Sequence, residues 1–246
     1  MTKSTTNVTH VIFDVDGTLL DTEIYYSMAN QAILNRFGRE FTPEMQAQMM
    51  GKNGQSANEW LLKEVGHFSF SCSFLLYCYL KVGISDQISP EDFGSAKDAI
   101  LAKTFPQCQA LPGAERLVRH LAKKQLLRLD VPMAICSGSC MRKFMLKSVK
   151  HRDWLDLIPI QVIVVGKLKH WFSFTSWFPV PPKDPSHVLV FEDSPNGGKA
   201  AKAAGMQCVM IPEPKFRRQS FDLGADKVLS SLEEFVPEEF GLPPFD

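Results

Sequence analysis

Short, almost wholly apolar runs recur along the chain: Val8-Thr-His-Val-Ile-Phe13, Val131-Pro-Met-Ala-Ile-Cys136, Ile160-Gln-Val-Ile-Val-Val165, Val188-Leu-Val-Phe191 and Gln207-Cys-Val-Met-Ile211. Each is strand-length, rich in Val and Ile, and shows little polar alternation. That is the pattern of strands buried on both faces of a parallel sheet. Helical periodicity appears between some of them. Ala114 to Lys124 has apolar residues at 114, 117, 118 and 121, and the Ala-rich stretch Gly197 to Ala204 ends at Gly205, a helix stop. Strands alternating with helices predict an open, doubly wound α/β sheet.

Residues 22 to about 104 read differently. Tyr25 to Phe37 carries Ala29, Ala32, Ile33 and Phe37 near a 3.6-residue period, which predicts a helix. Thr42-Pro43-Glu44 starts another, with Thr42 as N-cap and Pro43 in the first turn. Asn58 to Val65 and Pro90 to Lys103 are predicted helical as well. The expected organisation is an α/β core from residues 1–21 and 105–246, with a helical domain inserted at 22–104.

Composition narrows the partners. Hydrophobic residues make up 45% and charged residues 22%, which predicts an ordinary packed core. Lys+Arg and Asp+Glu balance at 27 each, so nucleic acid is not an expected partner. The richest basic stretch, Arg142 to Arg152 with Lys143, Lys147 and Lys150, reads as a solvated helix face. The six Cys form no CxxC and the His are scattered, so no zinc site is predicted and the thiols are expected to be reduced. The polar start Met-Thr-Lys-Ser-Thr-Thr-Asn lacks an apolar signal core. Phe68 to Val82 is the most apolar stretch, at about 15 residues, short of the roughly 20 needed to span a bilayer. A cytoplasmic monomer without membrane contact is expected.

The candidate chemistry lies at strand ends. In an open α/β sheet, ligands bind outside the carboxyl ends of the strands. The first strand ends in Asp14-Val-Asp16-Gly17, the second in Ser137-Gly138-Ser139, and the fourth in Glu192-Asp193-Ser194. Apolar strands that converge on so much negative charge need a cation, because buried charge must be paired or bind metal. An all-oxygen donor set points to magnesium. Asp14 and Asp16 are spaced so that one carboxylate can attack while the other handles protons, with Gly17 permitting the turn between strand and loop.

These residues also carry a family resemblance. Asp14-Val-Asp-Gly-Thr-Leu-Leu-Asp21-Thr-Glu resembles the first motif of the haloacid dehalogenase-like phosphatase superfamily. Ile135-Cys-Ser137-Gly resembles its second motif. Val190-Phe-Glu192-Asp193-Ser-Pro-Asn196-Gly197, continuing to Ala203-Ala-Gly205-Met206, resembles its fourth. Met50-Gly51-Lys52, Leu111-Pro-Gly-Ala-Glu115 and Phe240-Gly-Leu-Pro-Pro244 are similar to the pseudouridine-5'-phosphatase-like branch. The resemblance implies a Rossmann-like core with a helical cap. It implies that Asp14 attacks phosphorus to form an aspartyl-phosphate, and that Asp16 protonates the leaving alcohol and then activates water. Ser137 and the backbone N–H of Gly138 would hold phosphate oxygens. Asp193, the Asp14 carboxylate and the Asp16 carbonyl would bind Mg2+, with Glu192 assisting. The implied substrate is a small phosphorylated metabolite, with pseudouridine 5'-phosphate a candidate. A sugar-phosphate phosphatase or phosphomutase on the same scaffold, or a catalytically impaired homologue, are the alternatives.

The chain departs from the family in one motif. A Lys-Pro sequence is expected after the third strand, where its lysine neutralises the nucleophile and a phosphate oxygen. Here Val165-Gly166 runs into Lys167-Leu-Lys169-His-Trp-Phe, with no such motif. Lys167 is the candidate substitute, with Lys169 and Lys183 as alternatives. Segments 67–83, 126–130 and 167–178 look foreign to the family pattern, as read-through beside a lost stretch after Gly166 would. The aromatic run Trp171 to Phe178 is expected to invite aggregation if exposed.

Overall fold

All five predicted runs form strands: β1 (His10–Phe13), β2 (Met133–Ser137), β3 (Ile160–Ile163), β4 (Val188–Glu192) and β5 (Gln207–Met210). A computed structural model describes residues 7–50, 54–65, 83–126, 131–163 and 178–246. Lys167, Lys169 and nearly all of segments 67–83, 126–130 and 167–178 lie outside the described residues. A sixth strand, β6 (Lys227–Val228), was not predicted. Its two residues are too few to show a period, and its pairing of Val209 with Lys227 places it at the sheet edge.

The six strands are parallel and ordered β3-β2-β1-β4-β5-β6. Ile12 of the central β1 pairs with Ala134 on one side and Val190 on the other. Chain order runs outward from β1 to β2 and β3, then returns to β4 on β1's other side. The connections therefore reverse direction between β1 and β4. That topological switch point opens a crevice at the strands' carboxyl ends.

Both faces of the sheet are covered. Val11, Phe13, Ile135, Leu189 and Phe191 point into one core. There they meet α5 (Ala114–Leu126) through Ala114, Leu117, Val118 and Leu121, the positions predicted from their spacing. Ile12, Ala134, Cys136, Val190 and Cys208 point the other way, toward Ala200, Ala201 and Ala204 of α8 (Pro195–Ala203) and its end, α8 following α6 (Met141–Ser148) and α7 (Arg152–Leu155) in the chain. Small residues let α8 approach the sheet closely. Gly205, in the left-handed conformation (φ 77°), ends that segment by donating its N–H to Lys202 O at 3.0 Å. Phe178, the one described residue of the aromatic run, is buried in this second core, edge-on to His10 at 4.6 Å between ring centroids.

The chain divides into two compact units, residues 1–22 with 105–246, and residues 23–104. The second unit holds α1 (Glu23–Leu34), α2 (Pro43–Met49), α3 (Gly54–Glu64) and α4 (Pro90–Thr104). Thr42 caps α2 as predicted, accepting from Met45 N at 3.3 Å. Ile33, Leu34, Leu61, Leu62 and Phe93 form its own core. No helix of the described residues is long and apolar enough to cross a membrane.

Phe191 ties β4 to its surroundings, stacked on Phe13 at 5.1 Å and edge-on to Phe235 at 4.9 Å. Phe191→Ala is expected to cost about 3–5 kcal/mol of unfolding free energy in urea titrations. The exposed Lys183→Ala should stay within about 0.5 kcal/mol of wild type.

Candidate active site

The ladder between β1 and β4 continues one step past β1, where Asp14 N donates to Phe191 O at 3.0 Å. The chain then folds back tightly. Leu19 and Leu20 both donate their N–H to Val15 O, and Gly17 N donates to Leu20 O at 2.9 Å. Gly17 adopts φ 77°, and a Cβ there would stand 2.3 Å from Asp193 Oδ2. Only glycine meets both demands: a left-handed backbone and close passage of the β4 loop.

Asp193 follows β4 and is 3% exposed. Thr18 Oγ1 reaches its Oδ1 at 3.5 Å, the outer limit of a hydrogen bond. Glu192, the last residue of β4, is fully buried. Its Oε2 accepts from Asp193 N (3.1 Å), Ser194 N (3.1 Å) and Ser194 Oγ (3.0 Å). Ser194 in turn caps α8 by accepting from Gly197 N at 3.1 Å. Glu192 therefore sits against the amino end of α8, where partial positive charge stabilises a carboxylate. A Cβ on Gly197 would come within 1.9 Å of Glu192 Oε1.

Asp14, Glu192 and Asp193 each offer a carboxylate oxygen, and these atoms lie within 4.8 Å of one another in a buried setting. At an effective dielectric of ~20, each pair of unit charges so placed repels by roughly 3–4 kcal/mol. Three such pairs rival the stability of a whole domain, about 5–15 kcal/mol. A proton or a cation must offset that repulsion. Three hard oxygen donors suit a divalent cation such as Mg2+, so the residues present fit the implied metal.

Asp16 is differently placed. Its carboxylate stands outside that cluster and accepts from Thr22 Oγ1 on Oδ1 (2.8 Å) and Ser137 Oγ on Oδ2 (3.3 Å). Lys147 Nζ lies 2.5 Å from Oδ1 and also contacts Oδ2. What the resemblance assigned to the metal was the Asp16 backbone carbonyl, which leaves this carboxylate to other work. Ser137 is fully buried at the end of β2, and its Oγ accepts from Ser139 N at 3.2 Å. Gly138 lies between them, exposed at the mouth of the loop.

The structure thus gathers Asp14, Asp16, Ser137, Glu192 and Asp193 at the strand ends. Lys167, the expected lysine, and Lys169 lie outside the described residues, and the lysine reading that the structure corrects is that of Lys147. Lys183 is exposed in the loop before β4 and stays a solvated lysine. Lys147, read as part of a solvated face, is buried on α6 (Met141–Ser148), with none of its side chain exposed. The rest of that face is mixed: Arg142 and Lys150 are exposed, while Phe144, Ser148 and His151 are buried with Lys147. These four positions are spaced three, one and three apart, a helical stripe that sequence alone contained. Side chains on a helix lean toward its amino end. Lys147 can therefore reach back to the strand ends from the last turn, its ammonium 5.9 Å from the Phe105 ring centroid.

Cys108, Cys136, Cys140 and Cys208 are free thiols among the described residues. Burial, with the nearby Asp16 charge second, pushes the Cys108 thiol up to about 12. It is therefore a neutral thiol at neutral pH and no rival nucleophile.

An α/β sheet with a carboxylate cluster at its switch point, beside a serine and a buried lysine, is the arrangement of a metal-assisted phosphoryl-transfer hydrolase. The chain matches the haloacid dehalogenase-like hydrolase family over residues 11–211, and it belongs to that family. It is 37% identical over 248 residues to (DL)-glycerol-3-phosphatase 2 of Arabidopsis thaliana, covering 98% of this chain and 94% of that one. It is 35% identical over 247 residues to a probable pseudouridine-5'-phosphatase of Drosophila melanogaster, covering 97% and 96%. Among solved structures, a haloacid dehalogenase family hydrolase of Deinococcus radiodurans, with bound phosphate and sodium, shares the fold. Its TM-score is 0.68 at 22% identity, covering 97% of this chain and 99% of that one. The protein is a phosphoric monoester hydrolase of the haloacid dehalogenase type.

Gly197→Ala separates packing from propensity. Helix propensity alone would make the change stabilising by up to about 1 kcal/mol. The close approach of Glu192 predicts instead a loss of about 1–3 kcal/mol, read as a lower urea midpoint. A raised midpoint would show that Glu192 is not held against the amino end of α8.

Proposed function

We propose that the protein hydrolyses a small phosphate monoester through an aspartyl-phosphate on Asp14, with Mg2+ as its cation. The observation that carries this reading is the buried grouping of Asp14 with Glu192 and Asp193, beside a second aspartate held by different partners. Asp14 attacks phosphorus as the bond from phosphorus to the ester oxygen breaks. Asp16 delivers a proton to that oxygen, and the alcohol leaves. Asp16 then takes a proton from water, whose oxygen attacks phosphorus and releases inorganic phosphate, regenerating the Asp14 carboxylate. Ser137 Oγ and the Gly138 N–H orient the phosphoryl oxygens. Asp14, Asp193 and Glu192, with the Asp16 carbonyl, would hold a divalent cation, which would supply charge neutralisation for the phosphoryl group.

Two relatives suggest the substrate. One is named for glycerol 3-phosphate and the other for pseudouridine 5'-phosphate, at nearly equal identity. Both are alkyl phosphates whose poor leaving groups need the proton from Asp16. In this reading the unit Glu23–Thr104 is the cap that selects between them. The reading extends to a cytoplasmic monomer acting in the metabolism of phosphorylated nucleosides or related metabolites.

Steady-state assays with p-nitrophenyl phosphate, glycerol 3-phosphate and pseudouridine 5'-phosphate test this reading. Wild type is expected to turn over at least one, to stop in EDTA, and to recover with Mg2+. Asp14→Asn should lose roughly 10⁴-fold or more in kcat. Turnover in wild type no greater than in Asp14→Asn overturns the proposal.

Mg2+ should also raise the Tm of wild type more than that of Asp193→Asn, since a ligand that binds only the folded state stabilises it. Equal shifts would remove Asp193 from the metal site.

A further inference from the structure

Lys147 and Ser137 meet at one atom. Ser137 Oγ accepts from Ser139 N, which leaves its own hydrogen to donate outward, and it points at Asp16 Oδ2 at 3.3 Å. The Lys147 ammonium contacts that same oxygen. A fully buried hydroxyl and a fully buried ammonium thus converge on a single anionic oxygen. Such convergence on an oxygen is what a non-bridging phosphate oxygen requires. Here an oxygen of Asp16 occupies the position.

We propose that Lys147 is the phosphate-binding cation of this site and that Asp16 holds its place until substrate arrives. The inference rests on the phosphatase reading of the same site and extends it. A phosphate dianion carries twice the charge of a carboxylate, so it outcompetes Asp16 for the ammonium at comparable distance. Lys147 and Ser137 pass from Asp16 Oδ2 to the phosphoryl group. Asp16 keeps Thr22 Oγ1 on its other oxygen, 2.8 Å away, takes up a proton from solvent as it gives up the ammonium, and turns toward the ester oxygen to which it delivers that proton. Binding of the phosphoryl group and release of the proton carrier become one event. The cation comes from α6, after β2, rather than from the segment after β3 where the family pattern places its lysine. Burial excludes Lys147 from a general surface role, because a buried ammonium needs an anion at all times: Asp16 without substrate, phosphate with it.

Inorganic phosphate is the probe, titrated calorimetrically into the full-length protein in Mg2+, so that no turnover is needed. Lys147→Met is expected to weaken phosphate binding about tenfold or more, and Lys147→Arg to restore part of the loss. Asp16→Asn removes the competing charge while keeping the shape. It should tighten phosphate binding by about tenfold when Lys147 is present, and have no effect in the Lys147→Met background. A purely structural ion pair predicts no such gain. If Lys147→Met does not fold, Asp16→Asn is compared with the Lys147→Met/Asp16→Asn double variant, which removes both partners and leaves no unpaired charge. Unchanged or weaker phosphate binding in Asp16→Asn, or an equal gain without Lys147, overturns the inference. Coupling between the two residues in a protein with no turnover would sink the phosphatase reading and leave Lys147 as an anion site. Turnover without coupling would sink only the role given to Lys147.

Discussion

Negative charge gathered at the carboxyl edge of a parallel sheet is the constraint on which this structure turns. Strands buried on both faces cannot spread their polar residues, so chemistry collects where the strands stop. Asp14 ends β1 and Glu192-Asp193 end β4, and the sheet order sets these ends side by side. Their mutual repulsion is comparable to the folding free energy of a domain, and much of the local architecture serves to offset it.

Three devices do so. The amino end of α8 donates backbone N–H groups and the Ser194 hydroxyl to Glu192, which spares that carboxylate a full desolvation penalty. Gly17 and Gly197 keep space open around Asp193 and Glu192. Lys147 places an ammonium on Asp16, whose carboxylate is not one of the three in the cluster. In the proposed reading the carboxylate cluster takes the metal ion, and the side of Ser137 and Lys147 takes the phosphoryl group. Two aspartates in one motif can then serve as nucleophile and proton carrier, because their surroundings differ.

Much of the fold was legible because parallel strands leave a strong local signature. Five apolar runs became five strands, and the helices of residues 22–104 followed from spacing and from the Thr42-Pro43 start. β6 was missed because two residues carry no period. In the site, Asp14, Asp16, Ser137, Glu192 and Asp193 were found because each lies within a residue or two of a strand end. Lys147 was missed because its signal is of another kind. Its helix reads as basic, and only the stripe shared with Phe144, Ser148 and His151 marks it as inward-facing.

The sequence by itself determined which residues end the strands and which spacing the helices keep, since both depend on contacts within a few positions along the chain. Tertiary structure decided which strand ends become neighbours and which lysine serves them. Lys147 and Asp16 are 131 positions apart, and nothing local in either segment encodes their meeting. A charge pair is chosen by the geometry of burial: once β1, β2 and α6 pack, Lys147 is the described lysine whose ammonium reaches Asp16, and leaving it without an anion would cost more than the pairing does.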